Sequence, residues 1–237
     1  MNLETTRFVG VEALVRWQDG ERGLIPPGDF IPLAERIGLI GPISDWVIDE
    51  ACRQASAWQE EGLDLYISIN LPPSYCHSTG MAHILSSART AGVDLERLMI
   101  EITESALIPD TRRHMEHTLA EMSKRGLKLA IDDFGTGYSS LGRLNKTWVS
   151  MLKIDRSFVQ DLPDSEHACE LVASVVQLAR TLGLEPVAEG VETEEQRRFL
   201  LERGCVYGQG FLFSRPVPVH EIETLYAGGG LQEHEVA

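Results

Sequence analysis

The chain reads as an α/β protein whose parallel strands close into a barrel, and three observations predict it. Short apolar runs of strand length alternate with longer segments of helical apolar spacing along almost all of the 237 residues. Glycines follow the helical segments where a stop is needed. Polar residues suited to catalysis fall at the ends of nearly every run, whereas an open doubly wound sheet gathers them at one switch point behind a glycine-rich phosphate turn.

The strand-like runs are residues 8–17, 65–71, 98–103, 127–131, 149–154, 186–191 and 207–213. Between them, residues 46–61, 81–91, 112–125, 166–182 and 194–203 repeat apolar side chains at helical spacing, with Gly62, Gly92, Gly126, Gly183 and Gly204 as stops. Strict alternation implies parallel strands joined by right-handed crossovers. Within a run the side chains alternate between faces. Ile67 and Ile69 take one face and Asn70 the other; Glu101 stands between Ile100 and Ile102, and Lys153 and Asp155 alternate with Leu152 and Ile154. Gly10, Glu12, Leu14 and Arg16 share a face, so Glu12 and Arg16 point inward together, and Glu189 and Gln209 complete the ring. A single polar residue at a strand end is usually a cap or a solvated position; six in register ask for a common purpose.

The centre of this arrangement is the stretch 127–141, LKLAIDDFGTGYSSL. An apolar strand ends there and a glycine-hinged loop begins at two adjacent carboxylates, Asp132 and Asp133, with no basic residue beside them. In a regular strand the two would face opposite ways, but at a strand end the second can swing with the loop and join the first. A plain turn cap is the alternative. Glu12, Glu101, Asp132, Asp133 and Glu189 at one barrel mouth would raise one another's pKa unless counter-charge were supplied. Divalent cations supply it, and oxygen ligands without a cluster of His or Cys favour Mg²⁺ or Mn²⁺ over Zn²⁺.

Composition narrows the function further. A net charge of −15 disfavours binding to long nucleic acids, while a small anionic ligand remains compatible if cations bridge it. No window of 18 apolar residues occurs and the amino terminus lacks a signal-peptide pattern, so a cytoplasmic chain without membrane insertion is expected. Cys52, Cys76, Cys169 and Cys205 lack CxxC spacing and are expected as reduced, mostly buried thiols.

Seven motifs, in order, carry a family resemblance: Glu12-Ala-Leu in VEALVRW, Asn70 in SINL, Glu101-Ile-Thr-Glu104, Asp132-Asp133-Phe-Gly-Thr-Gly, Leu152-Lys-Ile-Asp155, Ala188-Glu-Gly-Val-Glu192 and Gln209-Gly-Phe. The chain resembles the EAL-domain cyclic di-GMP phosphodiesterases over residues 8–218. The resemblance implies a modified TIM barrel that hydrolyses one phosphodiester of cyclic di-GMP to linear pGpG with Mg²⁺ or Mn²⁺. It implies that Glu12, Asn70, Glu101 and Asp132 hold one cation, and that Asp132 also reaches a second held with Asp133 and Glu189. Lys153 would orient the attacking water or neutralise charge, with Glu189 the alternative general base. Arg16 would clamp a phosphate; Glu192 and Gln209 would contact substrate beside Asn70; Pro27 and Phe211 would pack on guanine faces; and Glu104 would steady the loop after Asp133. A homodimer through residues 133–141, and fusion to sensory or GGDEF domains, follow from the same resemblance.

The chain also departs from that pattern. Asn70-Leu71 is followed by Pro72-Pro73, and Lys146-Thr147-Trp148 stands where relatives often have Leu-Pro. The family's first, antiparallel strand, with Gln-Pro, is missing; residues 1–7 are expected as a remnant, 8–227 as the barrel and 228–237 as a disordered acidic tail. The gap should expose the edges of the first and last strands, favour self-association and reduce activity. A rival class of function is a cyclic di-GMP receptor that does not cleave, or a partner-docking module; the complete acidic set favours the enzyme. Ca²⁺ prefers more oxygens at longer distances than Mg²⁺, so it should spread the cation pair and inhibit. Undiminished turnover with Ca²⁺ as sole metal would contradict this.

Overall fold

Ile67, Ile69, Leu98, Ile100 and Ile102 are almost wholly buried, as expected for parallel strands covered on both faces. The computed structural model describes residues 1–104, 113–135 and 148–228. These fall into two compact units, one built from residues 11–102 and 113–128 and the other from residues 1–10, 103–104, 129–135 and 148–228. They are called below the Glu12 unit and the Lys153 unit.

In the Glu12 unit, strands β1 (Gly10–Ala13), β4 (Tyr66–Asn70) and β5 (Leu98–Thr103) are neighbours in that order, and β4 and β5 run parallel. β2 (Trp17–Asp19) and β3 (Gly23–Ile25) form an antiparallel hairpin, followed by α1 (Pro27–Arg36) and α2 (Ile40–Glu60). α3 (Ser78–Ala91) packs on α2 and on α4 (Arg113–Ser123). The first run is therefore not one strand over residues 8–17. It breaks after Ala13, and the hairpin and α1 take up residues that the alternation left unassigned. α2 begins six residues before the expected Trp46, because Pro42 falls in the first turn, where its missing N–H costs no helical bond.

The Lys153 unit carries β6 (Lys128–Phe134), β7 (Met151–Ile154), β8 (Glu185–Ala188) and β9 (Tyr207–Gly208), each parallel to the next. The intervening helices are α5 (Arg156–Val159), α6 (Glu166–Thr181) and α7 (Glu194–Glu202), with α8 (Val219–Ala227) after β9. Ser165 caps α6 by accepting from the Ala168 N–H, and Thr193 with Gln196 forms a reciprocal capping box on α7. Four of the five expected stop glycines have φ between +73° and +83° and Gly126 has +100°, a region costly for a residue with a Cβ.

The last run also differs from expectation: only Tyr207 and Gly208 pair as strand, and the chain then turns, with Phe213 and Ser214 donating back to the Gly210 carbonyl. A Cβ on Gly210 would collide with the Val191 backbone, so the turn is packed directly on the segment after β8. The outer edge of β9 is covered. Asn2 bridges Tyr207 antiparallel, Leu3 N–H donates to the Val206 carbonyl at 2.8 Å, and Gly208 N–H donates to the Met1 carbonyl at 3.0 Å. Leu3 is fully buried, and Arg197 donates to its carbonyl. Residues 1–3 therefore occupy the position where an open edge was expected beside the last strand.

Among the described residues no helix is long and apolar enough to cross a membrane. All four cysteines are free, and burial pushes the Cys52, Cys76 and Cys205 thiols up to about 12. The expected tail, apart from Gly228, lies outside the described residues. Leu3→Ala should lower unfolding free energy by about 2–5 kcal/mol in urea denaturation, the usual cost of emptying a leucine site in a packed core. A loss below about 1 kcal/mol would show that the amino-terminal bridge does not hold β9.

Candidate active site

β6 does not end at Ile131. Its pairing with β7 runs Ala130 to Met151 and Ile131 to Leu152, and resumes with Phe134 opposite Ile154. Asp132 and Asp133 thus stand opposite the single residue Lys153, a bulge of two against one. Asp133 has φ +53°, one of two non-glycine residues in the left-handed region among those described. The bulge has a physical cause at its far side, since Phe134 returns to the core and is buried. The two carboxylates can then approach each other, as expected, although the bend lies within the strand and not in a loop beyond it.

Lys153 is 3% exposed, and its Nζ lies 3.1 Å from Asp132 Oδ1 and 2.7 Å from Glu189 Oε1. Glu189 reaches this point because its N–H donates to the Ile154 carbonyl at 3.0 Å, carrying β8 one residue past its last ladder pair. One carboxylate oxygen from each of Asp132, Asp133 and Glu189 lies within 4.8 Å of the other two. Asp132 Oδ1 is buried and makes no hydrogen bond of acceptable geometry, its lysine contact being an ion pair only. A buried anionic oxygen without a hydrogen bond is expensive. Three hard oxygen donors around such an atom fit a divalent cation of the Mg²⁺ or Mn²⁺ type.

The Glu12 unit assembles a second group. Asn70 ends β4 in register with Glu101 of β5, and Leu71 N–H donates to the Glu101 carbonyl at 3.0 Å. Asn70 Nδ2 donates to Glu12 Oε1 at 2.5 Å. Glu101 is buried, 3% exposed, and Glu12 half-buried. Three of the expected ligands thus lie on neighbouring strands of this unit.

The remaining candidates are less regular. Arg16 lies past the end of β1, so the two-residue period linking it to Glu12 does not extend to it; its Nη1 donates to the Val15 carbonyl. Pro27 opens α1 at the first helical position. Glu192 is exposed, and its N–H donates to Gln196 Oε1 at 2.7 Å. Gln209 is exposed, and its backbone bridges the loops after β8 and β9, donating to Ala188 and accepting from Val191. Phe211 is half-exposed. Glu104 is buried and accepts from the Gly135 N–H at 3.0 Å, directly after the bulged strand. Of the expected dimer segment 133–141, residues 136–141 lie outside the described residues.

Two neighbours escaped sequence reasoning. Phe158 packs so close to Gly135 that a Cβ there would meet its ring at 2.7 Å, which fixes glycine at this point. Arg215 holds its guanidinium 4.3 Å from the Phe211 ring centroid, a pair that the i, i+4 spacing across a turn would have flagged. Replacing Lys153 by Met should destabilise the metal-free protein by about 3–5 kcal/mol, because the buried Asp132 carboxylate and the half-buried Glu189 lose their counter-charge. The loss should shrink on adding Mg²⁺; denaturation curves unchanged by the cation would contradict the assignment.

Residues 1–216 match the EAL domain family model. The bifunctional diguanylate cyclase/cyclic di-GMP phosphodiesterase MucR of Pseudomonas aeruginosa is 43% identical over 217 residues, which are 91% of this chain and 32% of that protein. The oxygen sensor protein DosP of Escherichia coli is 41% identical over 92% of this chain and 28% of its own length. The chain thus spans about a third of the length of the curated relatives it matches. Among solved structures, the PaMucR phosphodiesterase in complex with c-di-GMP superposes with a TM-score of 0.85 at 42% identity, covering 90% of this chain and 87% of that one. The EAL domain of Mycobacterium smegmatis DcpA gives a TM-score of 0.79 at 32% identity, covering 98% and 94%. With ordered motifs, a family match over residues 1–216 and these structural likenesses in agreement, the chain belongs to the EAL-domain cyclic di-GMP phosphodiesterase family and has its modified TIM-barrel fold.

Proposed function

We propose that the chain is a metal-dependent phosphodiesterase that hydrolyses cyclic di-GMP to linear pGpG. The observation that carries this reading is the group of buried Asp132 and Lys153 with half-buried Asp133 and Glu189, in which Asp132 Oδ1 lacks a hydrogen bond. On the family resemblance, Glu12, Asn70 and Glu101 would be cation ligands, and so would Asp132, Asp133 and Glu189. Bound there, Mg²⁺ or Mn²⁺ would supply a water of lowered pKa and offset charge building on the phosphoryl oxygens.

The chain's own groups divide the remaining work. Lys153, with its Nζ between two carboxylates, donates and does not accept, so it orients the attacking oxygen and neutralises charge. Glu189, 2.7 Å from that ammonium, is then the proton acceptor. Asp133, turned inward by the bulge, joins the second ligand set. Arg16 would clamp a phosphate, Asn70, Glu192 and Gln209 would contact substrate, and Pro27 and Phe211 would meet the bases. Glu104, through the Gly135 N–H, would hold the start of the loop after the bulge. We extend the reading to a homodimer through residues 133–141 on the family resemblance, and to a cytoplasmic setting on the four free thiols.

A receptor that binds without cleaving is the rival reading. Purified protein should convert cyclic di-GMP to pGpG, followed by chromatography, when Mg²⁺ is present and not when it is chelated. Glu12→Ala and Asp132→Asn should each cut the rate at least about a hundredfold, the scale of loss from misplacing reacting groups. Tight binding of cyclic di-GMP with no product in Mg²⁺ or Mn²⁺ would establish the receptor instead.

A further inference from the structure

We propose that Arg215 reads the guanine base: it sits over the half-exposed Phe211 ring and, once a guanine takes that aromatic face, its guanidinium contacts the O6 and N7 edge. This rests on the reading of cyclic di-GMP as the ligand.

The placement follows from backbone geometry. Gln209 N–H donates to the Ala188 carbonyl at 2.8 Å, Val191 N–H to Gln209 at 3.0 Å and Leu212 N–H to Val191 at 3.1 Å. The loop leaving β9 is therefore stitched to the loop leaving β8, which begins with Glu189. Gly210, seated on the Val191 backbone, starts the turn that Phe213 and Ser214 close on its carbonyl. That turn brings Arg215 back over Phe211, with its guanidinium carbon 4.3 Å from the ring centroid. Phe211 is 50% exposed, and Arg215 is also exposed. No carboxylate among the described residues forms an ion pair with Arg215.

An exposed aromatic ring beside the catalytic loop is an unusual place to leave an uncommitted guanidinium. A core would bury the ring, and a solubilising surface arginine in a chain of net charge −15 would find an acid. A flat aromatic face is a platform for a base, and arginine stacks on such faces. The guanidinium fork also matches the acceptor pair O6 and N7 of guanine, whereas adenine presents an N6 donor at the same edge. Lysine would keep the charge and lose the fork.

The test compares the wild-type chain with Arg215→Ala and Arg215→Lys, using cyclic di-GMP and cyclic di-AMP. Arg215→Ala should raise KM for cyclic di-GMP about tenfold at nearly unchanged kcat, and reduce the preference over cyclic di-AMP by a similar factor, as for loss of one bidentate base contact. Arg215→Lys should lose the preference as well. A KM within about twofold of wild type in Arg215→Ala, or full preference retained by Arg215→Lys, overturns the proposal. If the wild type does not hydrolyse cyclic di-GMP, the enzymatic reading fails separately, and calorimetric binding of the two cyclic dinucleotides to the same three proteins decides the role of Arg215. A wild type that binds neither overturns both.

Discussion

Two residues of β6 facing one residue of β7 create the geometry on which the acidic site depends. Along an unbroken strand Asp132 and Asp133 would point to opposite faces. The extra residue in the bulge, with φ +53° at Asp133, lets both carboxylates come within 4.8 Å of Glu189. This arrangement is costly, since it combines an unfavoured backbone conformation with crowded like charges. It persists because both flanks are fixed: Ala130 and Ile131 are paired to β7 and buried, and Phe134 is buried beyond them.

Lys153 completes the compensation and is placed by the same mismatch. As the residue opposite the bulge, it meets Asp132 across the strand pair and Glu189 beyond the end of β8. Neighbouring elements then hold the surroundings. Glu104 takes the Gly135 N–H, and Phe158 fills the space a side chain at Gly135 would need. Gln209 ties the end of β9 to Ala188 and Val191. Backbone hydrogen bonds, more than side-chain contacts, thus set where Glu189 stands relative to the loop carrying Phe211.

Much of this was legible from residue order because parallel strands impose a simple code. β5 lies where the apolar run placed it, at Leu98–Thr103, and β4 within one residue at each end. The glycine stops hold because a positive φ is a local demand that only the backbone decides. Alternation with isoleucines put Asn70 and Glu101 on the face away from those isoleucines, and the strand pairing sets the two in register. What escaped depended on interruptions of periodicity. The break after Ala13 and the turn after Gly208 each cut short an apparent strand, the hairpin from Trp17 to Ile25 fills a stretch that the alternation left unassigned, and no period reveals a turn closed by a carbonyl such as that of Gly210. The bulge hid for a related reason: Asp-Asp before Phe-Gly looks like the end of a strand, and only the return of Phe134 to the core shows that it is not.

The amino-terminal segment shows how few residues can protect a sheet edge. A bare β9 would present unpaired N–H and C=O groups, and such edges invite pairing with other chains. β9 is only two residues long, so Met1, Asn2 and Leu3 suffice to meet it, with Leu3 supplying the apolar anchor and Arg197 holding the Leu3 carbonyl. Gly208 permits the approach, because a Cβ there would meet the Leu3 side chain at 2.8 Å. The same glycine stands in register with Ala188, one residue before Glu189. Covering the edge of β9 and positioning the acidic loop are therefore linked through a single strand pair, so a disturbance at Leu3 has a short path to the candidate site.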